Sequence, residues 1–133
     1  MKFKLNGWQR IWIVVAVVML VLTVAFIASS WPQPESGVVS DLASPACKSW
    51  RELPHGFFPD ASPEWNDPCH SLKYFLYWNR INLSGPADYD SFIFRNREKL
   101  VGEAISLWLG TILCIYVFGW VIAWIRRGFS KNI

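Results

Sequence analysis

The chain has 133 residues, 53% of them hydrophobic and 17% charged, with a formal net charge of +3 at pH 7. So short a chain has no room for a large enzyme core once its two longest apolar runs are set aside. Residues 31–103, between those runs, carry all ten acidic residues against seven basic ones, which excludes the sustained basic face that nucleic-acid binding needs.

Lys2, Lys4 and Arg10 precede the first apolar run, IWIVVAVVMLVLTVAFIA, eighteen uncharged residues rich in Val and Ile. In water such β-branched residues favour strand, but in lipid only a helix satisfies its own backbone. The run predicts a transmembrane helix over residues 11–30 behind a cytoplasmic tail of residues 1–10. Trp8, Arg10, Trp12 and Trp31 flank it and are expected to anchor it at the two membrane interfaces. The rival is a signal peptide cleaved after Ala28-Ser29-Ser30, although its apolar region would be longer than the usual ~7–15 residues. Both readings export the middle of the chain.

All eight prolines lie in that middle part, and they predict a cap over residues 31–90 made of short pieces. Ser44-Pro45, Ser62-Pro63 and Asp67-Pro68 each place a capping side chain before a proline, the chemistry of a helix start. The sequence CHSLKYFLYWNRI follows the third start. Its spacing puts Leu72, Phe75, Leu76 and Asn79 on one face of a helix, and Tyr74, Tyr77, Trp78 and Ile81 on the adjoining face, with an end near Asn82. Trp50, Phe57, Phe58, Trp65, Tyr89, Phe92 and Phe94 surround it. A unit this small buries some of these rings as core and leaves others outward; Trp65, Phe75 and Trp78 are the candidates for binding a partner.

Cys47 and Cys69 both fall in the exported part, just inside expected helix starts, and predict a disulfide in an oxidising compartment. The competing use of the same atoms is a zinc, copper or haem set of Cys47, His55, Cys69 and His70. Its spacing is poor, with no C-x-x-C, H-x-x-x-H or C-x-x-C-H present. Asp60, Glu64 and Asp67 form an acidic cluster that helix capping explains without chemistry. With no G-x-S-x-G elbow and no glycine-rich phosphate loop, the expectation is a protein that is not an enzyme and uses no cofactor. Asn82-Leu83-Ser84 matches the glycosylation pattern, which matters only in a eukaryotic secretory pathway.

From Asp90 onward no proline interrupts the pattern, which predicts one helix from about Ser91 to Arg127. Residues 91–103 would form a charged collar, residues 104–125 a second transmembrane helix, and residues 126–133 a cytoplasmic tail. The second span, AISLWLGTILCIYVFGWVIAWI, is uncharged throughout, and Trp124, Arg126 and Arg127 are its expected interface anchors. Ser106, Gly110 and Cys114 recur every fourth residue, and Gly119 and Ala123 repeat that spacing. Such stripes let helix backbones approach closely. One is expected to face the first span, and Ser106, Gly110, Gly119 and Ala123 are candidate partner-binding positions. Neither span holds Asp, Glu, Lys, Arg or His, so a proton or ion path has no titratable element to use.

Lys4-Leu5-Asn6-Gly7-Trp8-Gln9-Arg10 at one end and Trp124-Ile125-Arg126-Arg127-Gly128-Phe129 at the other resemble the tails of short, uncharacterised proteobacterial two-pass inner-membrane proteins. The resemblance covers about a third of the chain. It implies a bacterial inner membrane with both termini cytoplasmic, and no activity.

The expected architecture is therefore an all-α membrane protein: a two-transmembrane-helix hairpin with a small, mostly helical, disulfide-stapled periplasmic cap. The expected function is that of a non-catalytic accessory, regulatory or immunity-type protein. Its partners would be the lipid bilayer and another membrane protein or a second copy of the chain. The alternatives are a periplasmic metal- or haem-handling protein and, less suited to apolar spans, a holin-like one.

Overall fold

The structure, a computed structural model, describes residues 6–130, so Lys2, Lys4, Leu5 and Lys131 lie outside the described residues. It contains five α-helices and no strand among those residues: α1 (Gly7–Ser29), α2 (Ser36–Ala43), α3 (Lys48–Arg51), α4 (His70–Asn79) and α5 (Pro86–Ser130). Two of them, α1 and α5, are long and apolar enough to cross a membrane. The chain divides into two compact units, Pro32–Arg97 and the segments on either side of it, with α5 contributing to both.

In the flanking unit, the 23 residues of α1 span about 35 Å at 1.5 Å rise per residue. At its start, Gln9 Oε1 accepts a hydrogen bond from the Asn6 N–H at 3.0 Å. Apolar side chains occur all round α1, and none of its residues is buried. The helix touches α5 along one narrow line. The Trp12 indole donates to Ile112 O at 2.8 Å, and the Trp108 indole donates back to Ala16 O at 3.1 Å. Numbers fall along α5 as they rise along α1, so the two helices run antiparallel. Trp12 also meets Tyr116 edge to face at 5.1 Å, while Ala104, Ile112 and Gly119 are buried on the α5 side.

The Pro32–Arg97 unit has its own core, in which Val38, Leu42, Leu72, Leu76 and Leu83 are all but sealed from solvent and are joined by Phe75, Tyr89 and Ile93. Phe75 packs edge to face against both Tyr89 (5.5 Å) and Phe92 (5.0 Å). Trp50, Leu53 and Phe92 close the core from outside.

Helix α2 was not foreseen from its composition. It contributes Val38 and Leu42, one turn apart, and two of its flanking groups are tied to distant elements. The Tyr89 hydroxyl accepts from the Glu35 N–H at 2.9 Å, and Asp41 Oδ2 accepts from the Leu72 N–H at 3.0 Å. The Asp41 carboxylate thereby caps α4 from another helix, satisfying an N–H that the first turn of α4 leaves without an intrahelical partner. A Cβ on Gly37 would collide with the Ser71 hydroxyl, so glycine permits this approach of α2 to α4.

Of the three proline-led helix starts, Ser44-Pro45 opens a 3₁₀ turn (Pro45–Cys47) leading into α3. Asp67-Pro68 opens the turn that precedes α4, and Asp67 Oδ1 accepts from the Cys69 N–H at 3.1 Å. Ser62-Pro63 starts no helix. After it come Glu64, Trp65, Asn66 and Asp67, which offer no apolar periodicity to bury, and Glu64 O and Asp67 N–H close a turn instead. Helix α4 stops at Asn79, three residues before the expected end, because Arg80 turns left-handed with φ 54°. Asn82 does different work: its side chain bonds Gly56 N–H and Phe57 O, holding the turn in which Gly56 sits at φ 91°.

Helix α5 begins at Pro86, five residues before Ser91. Asp88 accepts from both the backbone N–H and the hydroxyl of Ser84, and Pro86 supplies a preset first turn. The sequence Ser84-Gly85-Pro86 thus ends one connection and starts a helix. The first turns of α5 bring Tyr89, Phe92 and Ile93 into the core, so the compact unit runs past the expected boundary at residue 90, to Arg97.

Candidate functional site

Cys47 and Cys69 are bonded to each other, with Cα atoms 5.7 Å apart, and join the 3₁₀ turn to the residue before α4. Both are buried. The bond withdraws both sulfurs from the metal or haem set that also called on His55 and His70. Among the described residues, no group of three or more His, Cys, Asp and Glu is placed to hold a metal ion.

Beside this staple, the N-terminal turn of α4 is built from charge. Asp67 Oδ2 lies 2.5 Å from Lys73 Nζ, and the Lys73 ammonium sits 4.6 Å from the Trp50 ring centroid. The Lys73 hydrogen bond, the Cys69 N–H and then the nearby Lys73 and His70 charges hold the Asp67 carboxyl below its usual value of 3.8. A lowered folded value means the contribution is complete above the unfolded pKa and is lost as pH falls through the folded one. The thermal midpoint of the unit is therefore expected to drop below about pH 4, and Asp67→Asn to flatten that drop in a circular-dichroism melt series. Flattening will be partial, because the two Ser84 bonds lower Asp88 as well.

The outer face of α4 carries a row of rings. His70, Tyr74 and Trp78 lie one turn apart, and Trp65 from the preceding turn stacks on His70 at 4.8 Å with 24° between planes. His70 stacks in turn on Tyr74 at 6.0 Å, Tyr74 meets Trp78 at 6.1 Å, and Trp78 meets Tyr77 at 5.3 Å. The Arg80 guanidinium continues the row, 5.3 Å from Tyr77 and 5.6 Å from Phe58. His70 Nδ1 donates to Glu64 O at 2.9 Å, since a carbonyl only accepts, and this bond fixes the imidazole plane. The row faces solvent: Trp65 is 89% exposed, Trp78 62% and Tyr74 45%.

Of the partner-binding candidates in this unit, Trp65 and Trp78 thus stand on an open surface. Phe75 does not, being packed in the core between Tyr89 and Phe92. The other exposed large aromatic residues of the Pro32–Arg97 unit, Phe57 and Phe94, lie outside the row.

On α5 the two small-residue stripes separate. Gly119 is buried under Trp8, and a Cβ there would overlap the indole. Gly119 therefore accommodates a side chain of its own protein, with Ala123 half-buried one turn on. Ser106, Gly110 and Cys114 are exposed, with open space where a Gly110 Cβ would stand. Trp8 and Trp12, expected as interface anchors, also make contacts between the helices. Arg10, Trp31, Trp124, Arg126 and Arg127 remain exposed. Trp108 was missed from the sequence: its partner is a backbone carbonyl of α1, which no side-chain pattern announces.

Comparison with protein-family models, with curated proteins and with solved structures returned no match.

Proposed function

We propose that this chain is a two-pass bacterial inner-membrane protein. Both termini are cytoplasmic, Pro32–Arg97 forms a periplasmic cap, and α1 packs against the apolar part of α5 as a transmembrane hairpin. The cap acts as a non-catalytic recognition module of the accessory, regulatory or immunity type. The observation that carries this reading is the open row of Trp65, His70, Tyr74 and Trp78 on a disulfide-stapled unit. Tyr and Trp supply large, stiff contact area at low entropy cost, the property that concentrates binding energy at interfaces. Support for the membrane comes from the apolar circumference of α1, the uncharged stretch of α5 and the basic tails. The tails' resemblance to inner-membrane proteins points the same way.

Topology is tested with Cys114 replaced by Ser and a single new cysteine at Ala61 or Gly128. A membrane-impermeant maleimide on intact cells should label the first and not the second. Recognition is tested by a photo-crosslinking residue placed at Trp78. A discrete adduct with a membrane or periplasmic protein is expected there and not at Phe57, which is exposed but off the row. Equal yields at both positions would sink the recognition reading.

A further inference from the structure

At one end of the ring row, Glu35, Ser62, Trp65, His70, Ser71 and Tyr74 line a cavity of about 370 Å³, within the size range of small-ligand sites. We propose that this cavity binds a compact primary-ammonium compound, the amine seated between the Glu35 carboxylate and the Trp65 ring. The proposal rests on the reading of Pro32–Arg97 as a recognition unit and names the ligand class for the same surface.

Charge excludes the alternatives first. Glu35 is the one formally charged residue lining the cavity; no Lys or Arg does so, which disfavours an anion. The Glu35 carboxylate has no ion pair or hydrogen bond among the described residues, whereas the charges of Asp67 and Lys73 on the same unit neutralise each other. The backbone beneath it is fixed, because its N–H is held by the hydroxyl of the buried Tyr89. A carboxylate on an anchored backbone with no partner of its own is placed to receive a cation, and bonds of that kind are about twice as strong as neutral ones.

Hydrogen-bonding capacity then selects the kind of cation. His70 spends its Nδ1–H on Glu64 O, so a neutral form of the ring has Nε2 as its acceptor. Together with the carboxylate and the hydroxyl oxygens of Ser62 and Ser71, this makes the lining rich in acceptors. An ammonium with three N–H donors matches it, and a quaternary ammonium with none does not. The rings add the remaining term. Trp65 rests one face on His70 and leaves the other open, and an aromatic face attracts a cation within about 6 Å. His70 stacks on both Trp65 and Tyr74 and so orients the two larger rings.

Two sources share this chemistry, a free amine and the headgroup of an ethanolamine lipid, and one experiment separates them. The full chain in maltoside micelles is titrated with ethanolamine while the Trp65 indole N–H signal, assigned by its loss in Trp65→Phe, is followed by NMR. Saturable movement is expected with ethanolamine. Ethylene glycol, the neutral analogue of the same size, and tetramethylammonium should leave the signal in place. Glu35→Gln should weaken the response roughly tenfold, the ratio that about 1.4 kcal/mol produces. An unchanged thermal midpoint will show that this variant folds. Micelles doped with phosphatidylethanolamine should blunt the ethanolamine response if the lipid is the source, and leave it intact if a free amine is. Equal responses to ethylene glycol and ethanolamine, or full binding by Glu35→Gln, would overturn the proposal. If the amine fails while the Trp78 crosslink persists, only the ligand class falls and the recognition reading stands.

Discussion

Leu76→Ala is expected to lower the stability of the Pro32–Arg97 unit by about 2–5 kcal/mol, the range for removing a fully enclosed leucine. Leu76 has no exposed surface and lies on the inner side of α4 beside Leu72 and Phe75. The vacated volume would be bounded by side chains from several helices and by the Cys47–Cys69 staple, so it collapses poorly, and a cavity that stays open costs most. In a unit this small each kcal/mol moves the thermal midpoint by about 4–8 °C, so a fall of at least about 8 °C should be visible in near-ultraviolet circular dichroism of the full chain in micelles. Trp78→Ala, on the same helix but facing outward, serves as the control and should move the midpoint by no more than a few degrees. Comparable losses from both substitutions would contradict the assignment of inner and outer faces.

Removing the disulfide should have an effect of similar size by a different route. Cys47 and Cys69 are 22 residues apart in sequence, and closing a loop of that length withdraws about 3 kcal/mol of chain entropy from the unfolded state. The Cys47→Ala/Cys69→Ala double variant should therefore unfold at markedly lower urea concentration, with a steeper denaturant slope because its unfolded chain is no longer cross-linked. Because both cysteines are buried, a reductant is expected to act slowly on the folded chain and quickly once denaturant opens the core. Reduction at the same rate in both conditions would mean that the core does not enclose the bond. A unit of this size supplies little surplus stability from its core alone, so its folding is expected to depend on the oxidising compartment in which the bond forms.

The parts of this fold that were legible in the sequence are those specified by neighbours in the chain. The two long apolar helices needed only length and composition. The inner face of α4 needed only the 3.6-residue spacing of Leu72, Phe75 and Leu76, and the cysteine pairing followed from their placement between the apolar runs. What stayed hidden depends on partners far away. Ser36-Gly37-Val38-Val39-Ser40 has poor helix propensity, and α2 exists because Val38 and Leu42 find a core and Asp41 finds the Leu72 N–H, 31 positions on. The false start at Ser62-Pro63 teaches the converse: a cap followed by proline opens a helix only where an apolar face follows to be buried. The ring row was half legible. The spacing of His70, Tyr74 and Trp78 is local, but the stacking of Trp65 on His70 depends on the turn between them, which the sequence pattern does not specify.

The paired indole bonds between α1 and α5 have a mechanical consequence. Trp12 reaches the carbonyl of Ile112 and Trp108 reaches that of Ala16, so the donors sit on opposite helices, and on each helix donor and acceptor are one turn apart. Such a cross-braced frame resists small slips of register. Sliding one helix past the other by half a turn, about 2.7 Å, breaks both braces together, and a lipid surrounding would offer no water to replace them. Small motions along this pair therefore take the form of a swivel or a tilt about the braces, and piston-like travel is the mode the two tryptophans oppose.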